Sequence, residues 1–250
     1  MPEALAQTLA LPGLGWIVVV TVAAGIVYGF AGFGSALIFM PAAAAVIPLQ
    51  VAVAAFAVTA LSSLVTVVPG AFREADRSGL WVLIPTAALG AWIGLWVLQT
   101  ADLLWLRWAV VGVTALTLLA LVSGWRMRTE PTRAAHAGIG LGTGFLGGAV
   151  GLLGPVMVLF QLAGRGGAAR TRATTLVFLS ATSTLILPLM ALRGMLTVPA
   201  LLTGAVLMLP YAIGSRIGAM LFQPQREGLY RGVAYVVIAC AIAVGLPIRD

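Results

Sequence analysis

Residues 136–155 read His136-Ala-Gly-Ile-Gly-Leu-Gly-Thr-Gly-Phe-Leu-Gly-Gly-Ala-Val-Gly-Leu-Leu-Gly-Pro155. The stretch is apolar and dense in glycine. Arg126, Arg128 and Arg133 flank it on one side, Arg165, Arg170 and Arg172 on the other. Arginine beside an apolar segment marks the cytoplasmic side of a membrane, and here the mark stands at both ends. We read the stretch as a re-entrant hairpin that enters the bilayer and returns on the same side. Its glycine turn must then be buried among other helices, because irregular backbone cannot face lipid. A single tilted, glycine-rich spanning helix is the competing reading.

The rest of the chain agrees with a membrane setting. Of 250 residues, 61% are hydrophobic and 8% charged, and the mean hydropathy is +1.09, which identifies a polytopic membrane protein. The net charge of +7 comes from 14 arginines with no lysine. They lie in short loops between apolar runs, so orientation in a lipid bilayer explains them better than a nucleic-acid partner. Cys240 is the single cysteine, which excludes an internal disulfide and a C-x-x-C redox pair. No basic residue precedes Arg73, so the N-terminus does not read as a signal peptide. The acidic residues fall in loops or termini, and the one histidine, His136, falls in a linker. No metal cluster or catalytic set is visible, so neither an enzyme nor a cofactor is expected.

Taken in order, the chain divides into two similar halves. The first, 1–123, has a broken element over 14–47 and spans at 51–68, 80–98 and 104–122. Glycines 29, 32 and 34 split that element into arms 14–28 and 33–47, and Pro41 and Pro48 close it. Pro69-Gly70 ends the first span, and 73–77 form a charged loop. Residues 124–136 form a cytoplasmic linker. The second half, 137–250, has a broken element over 137–163 and spans at 174–192, 198–222 and 229–246. Gly29-Phe-Ala-Gly32 corresponds to Gly148-Ala-Val-Gly151, and Gly90-Ala-Trp-Ile-Gly94 to Gly214-Ser-Arg-Ile-Gly218. This is an internal duplication of the kind found in secondary transporters. With both broken elements as hairpins, most arginines fall inside, both termini fall outside, and the halves become inverted copies. The expected fold is therefore all-α: two inverted repeats, each a re-entrant glycine-rich element plus three transmembrane helices, in the cytoplasmic membrane.

Gly29-Phe-Ala-Gly-Phe-Gly-Ser-Ala-Leu-Ile-Phe-Met-Pro41 resembles the first motif of the TauE/SafE family of sulfite exporters. Gly147-Gly-Ala-Val-Gly-Leu-Leu-Gly-Pro-Val-Met-Val-Leu159 resembles its second. The likeness extends over nearly the whole chain and departs at Leu153, where the family often has glycine. It implies transport of sulfite, sulfonates or related small anions.

Such an anion needs positive potential and hydrogen-bond donors. Helix N-termini offer both. The returning arms start near Gly32, Phe33, Gly34 and Ser35 in one half and Gly151, Leu152, Gly154 and Pro155 in the other. Glycine lets a ligand approach the backbone, and Pro155 suits a first helical turn. Two such turns, meeting near the midplane, are the expected substrate site. Ser62 and Ser63, with Thr59 and Thr66, share a helix face; Ser183 and Thr184, with Ser180, form a similar one. Their hydroxyls either donate to the anion or bond back to helix carbonyls. Two further alternatives stay open: the glycines serve only helix packing, and Arg216 either binds the anion or snorkels to the interface.

Overall fold

The computed structural model describes residues 13–124, 132–161, 168–222 and 227–247, and their side chains except at 158–161, 168, 227 and 229–231. Twelve helices follow in order among them: α1 (Leu14–Ala31), α2 (Ser35–Ala44), α3 (Leu49–Ala60), α4 (Ser63–Thr66), α5 (Val68–Glu74), α6 (Leu80–Thr100), α7 (Leu103–Val122), α8 (Arg133–Val150), α9 (Gly154–Gln161), α10 (Ala168–Leu192), α11 (Val198–Leu221) and α12 (Glu227–Gly245). The described residues contain no strand. Among the described residues, six stretches are long and apolar enough to cross a membrane: 14–31, 49–66, 80–100, 103–122, 169–192 and 198–221.

Local chemistry sets the ends. Asp102 caps α7 by accepting from the Leu104 and Trp105 amides, Thr132 caps α8, and Thr197 caps α11. Gly32 and Gly151 close α1 and α8 in the left-handed region, at φ +82° and +75°. Glycine holds that conformation without a Cβ penalty. Leu152 N donates to Leu146 O and Gly151 N to Gly147 O, so α8 ends in a bonded turn although it is buried.

Several expected boundaries need correction. The span at 51–68 is not one helix: α3 stops at Ala60, and Leu61 and Ser62 form a tight turn before the short α4. Pro69 does not end that span but sits in the first turn of α5, where its missing N–H costs nothing. Arg73 and Glu74 belong to α5 rather than to a loop. Pro41 lies inside α2, not at its end. The linker is shorter than 124–136, since Arg133 to His136 already form the first turn of α8. Of the arginines read as markers, Arg126, Arg128, Arg165, Arg226 and Arg249 lie outside the described residues.

Close glycine packing holds the long elements together. A Cβ on Gly25 or Gly29 of α1 would come within 3.0 Å of α11 backbone, and one on Gly214 or Gly218 would meet α1 in return. Gly90 and Gly94 of α6 interlock in the same way with Gly140, Gly144 and Gly148 of α8. The two interlocks join α1 to α11 and α6 to α8. In a membrane, where lipid is as apolar as leucine, such van der Waals contact is a main source of helix association.

Contacts between ends define two poles. Asp76 N donates to Thr174 Oγ1 at 2.9 Å, and His136 packs on Gly79, so the loop after α5 and the starts of α8 and α10 share one pole. There, the Ser78 amide and hydroxyl hold the Asp76 carboxyl below the usual carboxylate range. At the other pole Gly13 lies against Val46, Gln50 donates to Leu98 O at 3.2 Å, and Gln99 exchanges hydrogen bonds with Arg193. Trp16, Trp96 and Trp105 are exposed at that second pole, which suits their preference for the membrane interface.

Candidate functional site

The turns of the two broken elements meet. An added Cβ on Gly154 would lie 3.9 Å from Gly34 N. Beside them is a cavity lined by Tyr28, Gly34, Ser35, Ala36, Leu37, Phe56, Ala60, Leu153, Gly154, Leu179, Ser180, Ser183 and Tyr211. It leaves about 20 Å³ for the centre of a water-sized sphere, roughly the space of one water. The first turn of α2, Ser35 to Leu37, forms part of its wall, so the amides of a helix N-terminus lie at the cavity. Aromatic rings form another part of the wall. Tyr28 and Tyr211 are 5.9 Å apart, and Phe56 meets Tyr211 edge-on at 6.1 Å.

The residues expected from sequence are divided by this geometry. Gly34, Ser35, Gly154 and Ser183 line the cavity; Ser63 is one hydrogen bond away from it, at 2.8 Å from Ser180 Oγ. Phe33, Leu152 and Pro155 pack outside the lining. Ser62 donates to Thr59 O and Thr184 to Ser180 O, each at 2.8 Å, so both bond back to their own helices. Gly32 and Gly151 are covered: their open sides face Arg172 and Met40. Tyr28, Phe56 and Tyr211 were not expected from sequence. They carry no special spacing, and a tyrosine in an apolar helix reads as core. The Ser183 hydroxyl makes no hydrogen bond to the described residues and faces the cavity.

Arg172 has a structural task that its position as a flanking charge conceals. Its Nε donates to Phe30 O at 3.0 Å, and an Nη donates to Gly29 O. The guanidinium also lies 4.3 Å over the Phe222 ring. It thus caps the C-terminus of α1, where the last carbonyls carry the negative end of the helix dipole. Lysine cannot reproduce the planar fork. Arg172→Lys is expected to lower unfolding stability by about 1.5 kcal/mol or more, the scale of a charge-assisted bond. Thermal unfolding in detergent measures this, and a variant as stable as wild type would remove the cap's importance. Arg216, by contrast, is exposed on α11 and does not line the cavity.

A model of the sulfite exporter TauE/SafE family matches residues 17–244. Comparison with curated proteins gives no match, and comparison with solved structures gives none. Among the described residues no group of three or more His, Cys, Asp or Glu could hold a metal ion.

Proposed function

This chain belongs to the TauE/SafE sulfite exporter family, and on that premise we propose that it is a secondary transporter of a small anion, sulfite or an organosulfonate, working by alternating access. The observation that carries this reading is the meeting of Gly34 and Gly154 beside a hydroxyl-lined cavity. A wall whose amides and hydroxyls are uncharged donors suits an anion that must be released as well as bound.

The same reading makes the two halves inverted copies in the cytoplasmic membrane. Two observations support it. The start of α1 lies against the end of the α1–α2 element, at the pole of Gln99 and Arg193. The start of α8 shares the opposite pole with the start of α10, which follows the α8–α9 element. Each broken element then enters and leaves on its own side, from opposite sides of the membrane. The pole with Arg73, Arg77, Arg133 and Arg170 would be cytoplasmic.

Flux into proteoliposomes, with a panel of sulfite, sulfonates and small carboxylates, tests the function. A carrier gives saturable uptake and counterflow for one class of anion. Conductance without counterflow would mean an anion channel, and carboxylate flux alone would move the substrate to that class. No flux of any of these anions would sink the reading.

A further inference from the structure

Three hydroxyls beside the cavity form a chain whose direction can be counted. Ser63 Oγ donates to Ala60 O at 2.6 Å. A serine has one proton, so in the 2.8 Å contact between Ser63 and Ser180 the donor is Ser180. Ser180 then has no proton left for Tyr28, so Tyr28 is the donor in their 2.8 Å contact. Leu176 O, which also accepts from the Tyr28 hydroxyl, is farther, at 3.3 Å. The chain therefore runs Tyr28 to Ser180 to Ser63 to the Ala60 carbonyl, across α1, α10 and α4.

Tyr28 and Ser180 both line the cavity, yet the chain draws both of their protons away from it. Their oxygens present lone pairs to a space where, on the reading above, an anion binds. An anion accepts hydrogen bonds and repels lone pairs. This arrangement of the wall is thus set against an anion.

We propose that Ser180 is a donor switch for the anion site, and that Ser63 is the acceptor that competes with the substrate for its proton. When the anion enters, the Ser180 hydroxyl turns from Ser63 to the anion. It still accepts from Tyr28, whose donation polarises Ser180 and strengthens the new bond. Ser63 keeps its bond to Ala60 and loses only an incoming one. Tyr28 is a positioning residue in this scheme. The competition lowers affinity, which a carrier needs in order to release its load. Ser63 is therefore not a ligand: its single proton is already committed.

The inference rests on the anion site proposed above, and the test separates the two. Binding of sulfite, and of methanesulfonate as a second probe, is measured by titration calorimetry on the full-length protein in detergent. Ser63→Ala is expected to bind about threefold to tenfold more tightly, the worth of one neutral hydrogen bond no longer given up. Ser180→Ala should bind more weakly by a similar factor, and the double variant should match Ser180→Ala alone. A direct ligand or a merely structural serine predicts the opposite for Ser63→Ala: weaker or unchanged binding. Should Ser63→Ala fold poorly, Ser63→Cys serves instead, since sulfur is a weak acceptor and should tighten binding less. Gly154→Val is the site control. If it abolishes binding while neither Ser63 variant tightens it, the switch is wrong and the site stands. If it leaves binding intact, or if wild type binds neither probe, the site reading fails and the switch falls with it.

Discussion

Gly154→Val is expected to fold normally and to lose anion binding by about tenfold or more. The position opens α9, lines the cavity, and has no heavy atom closer to a new Cβ than Gly34 N at 3.9 Å. The Cβ of a valine there meets no neighbour that must move, and its methyl groups are expected to fill the space where the two turns face each other. An anion displaced from the amides of α2 loses charge-assisted hydrogen bonds of about 1.5–3 kcal/mol each, and 1.4 kcal/mol is a factor of ten. The turn glycines Gly32 and Gly151 are less informative. Each has positive φ, and a Cβ there would lie 2.9 Å from Arg172 Cγ or 2.7 Å from Met40 Sδ. Valine at either would disturb the fold before it touched a ligand. Gly138→Val is the matched control, because nothing lies within 4 Å of that position. Calorimetric titration with sulfite at equal monodispersity reads the outcome. A well-folded Gly154→Val protein with wild-type affinity would show that the meeting turns do not form the site.

The sequence announced the breaks and the interlocks because glycine in an apolar run has few other uses. Gly32 and Gly151 stand where the helices end, and Gly90/Gly94 and Gly214/Gly218 stand where helices touch. The turn at Leu61 and Ser62 gave no such sign, since neither glycine nor proline marks it. Ser and Thr hydroxyls there bond to the carbonyls of Ala55, Thr59 and Ala60, a local competition that composition alone does not reveal. The cap made by Arg172 was hidden for a different reason. Its partners Gly29 and Phe30 lie 143 and 142 residues away, and an arginine near a membrane segment already has a sufficient reading as an orientation marker. The aromatic wall was missed because Tyr28, Phe56 and Tyr211 come from three separate helices and meet only after folding. Hydroxyl spacing placed Ser and Thr on shared helix faces but could not count protons. That count decides that Ser183 is available while Ser62 and Ser63 are not.

Gly144→Val is expected to be the most damaging single change to the fold. A Cβ at Gly144 would collide with the carbonyl oxygen, carbonyl carbon and Cα of Ala87, all under 3.0 Å. These are backbone atoms of α6, so no side-chain rotation relieves the contact. The helices must separate, and separation also opens the neighbouring contacts of Gly90, Gly94, Gly140 and Gly148 along the same seam. Overpacking a dense interior costs about 1–3 kcal/mol, and here one substitution strains a whole interface, so ~3 kcal/mol or more is expected. The measurement is the unfolding midpoint in detergent, with Gly138→Val as the control on the same helix. Trimming Ala87 to glycine should not rescue the variant, because the atoms met are those of the main chain. Rescue by Ala87→Gly, or a Gly144→Val protein of wild-type stability, would mean that α6 and α8 are not in backbone contact. Under the alternating-access reading, tight seams have a mechanical meaning. With α1 locked to α11 and α6 locked to α8, each arm would move with the helix that grips it. Motion that exposes the cavity would then fall between those two pairs, where Gly34 faces Gly154 and where hydroxyls rather than backbone make the contact.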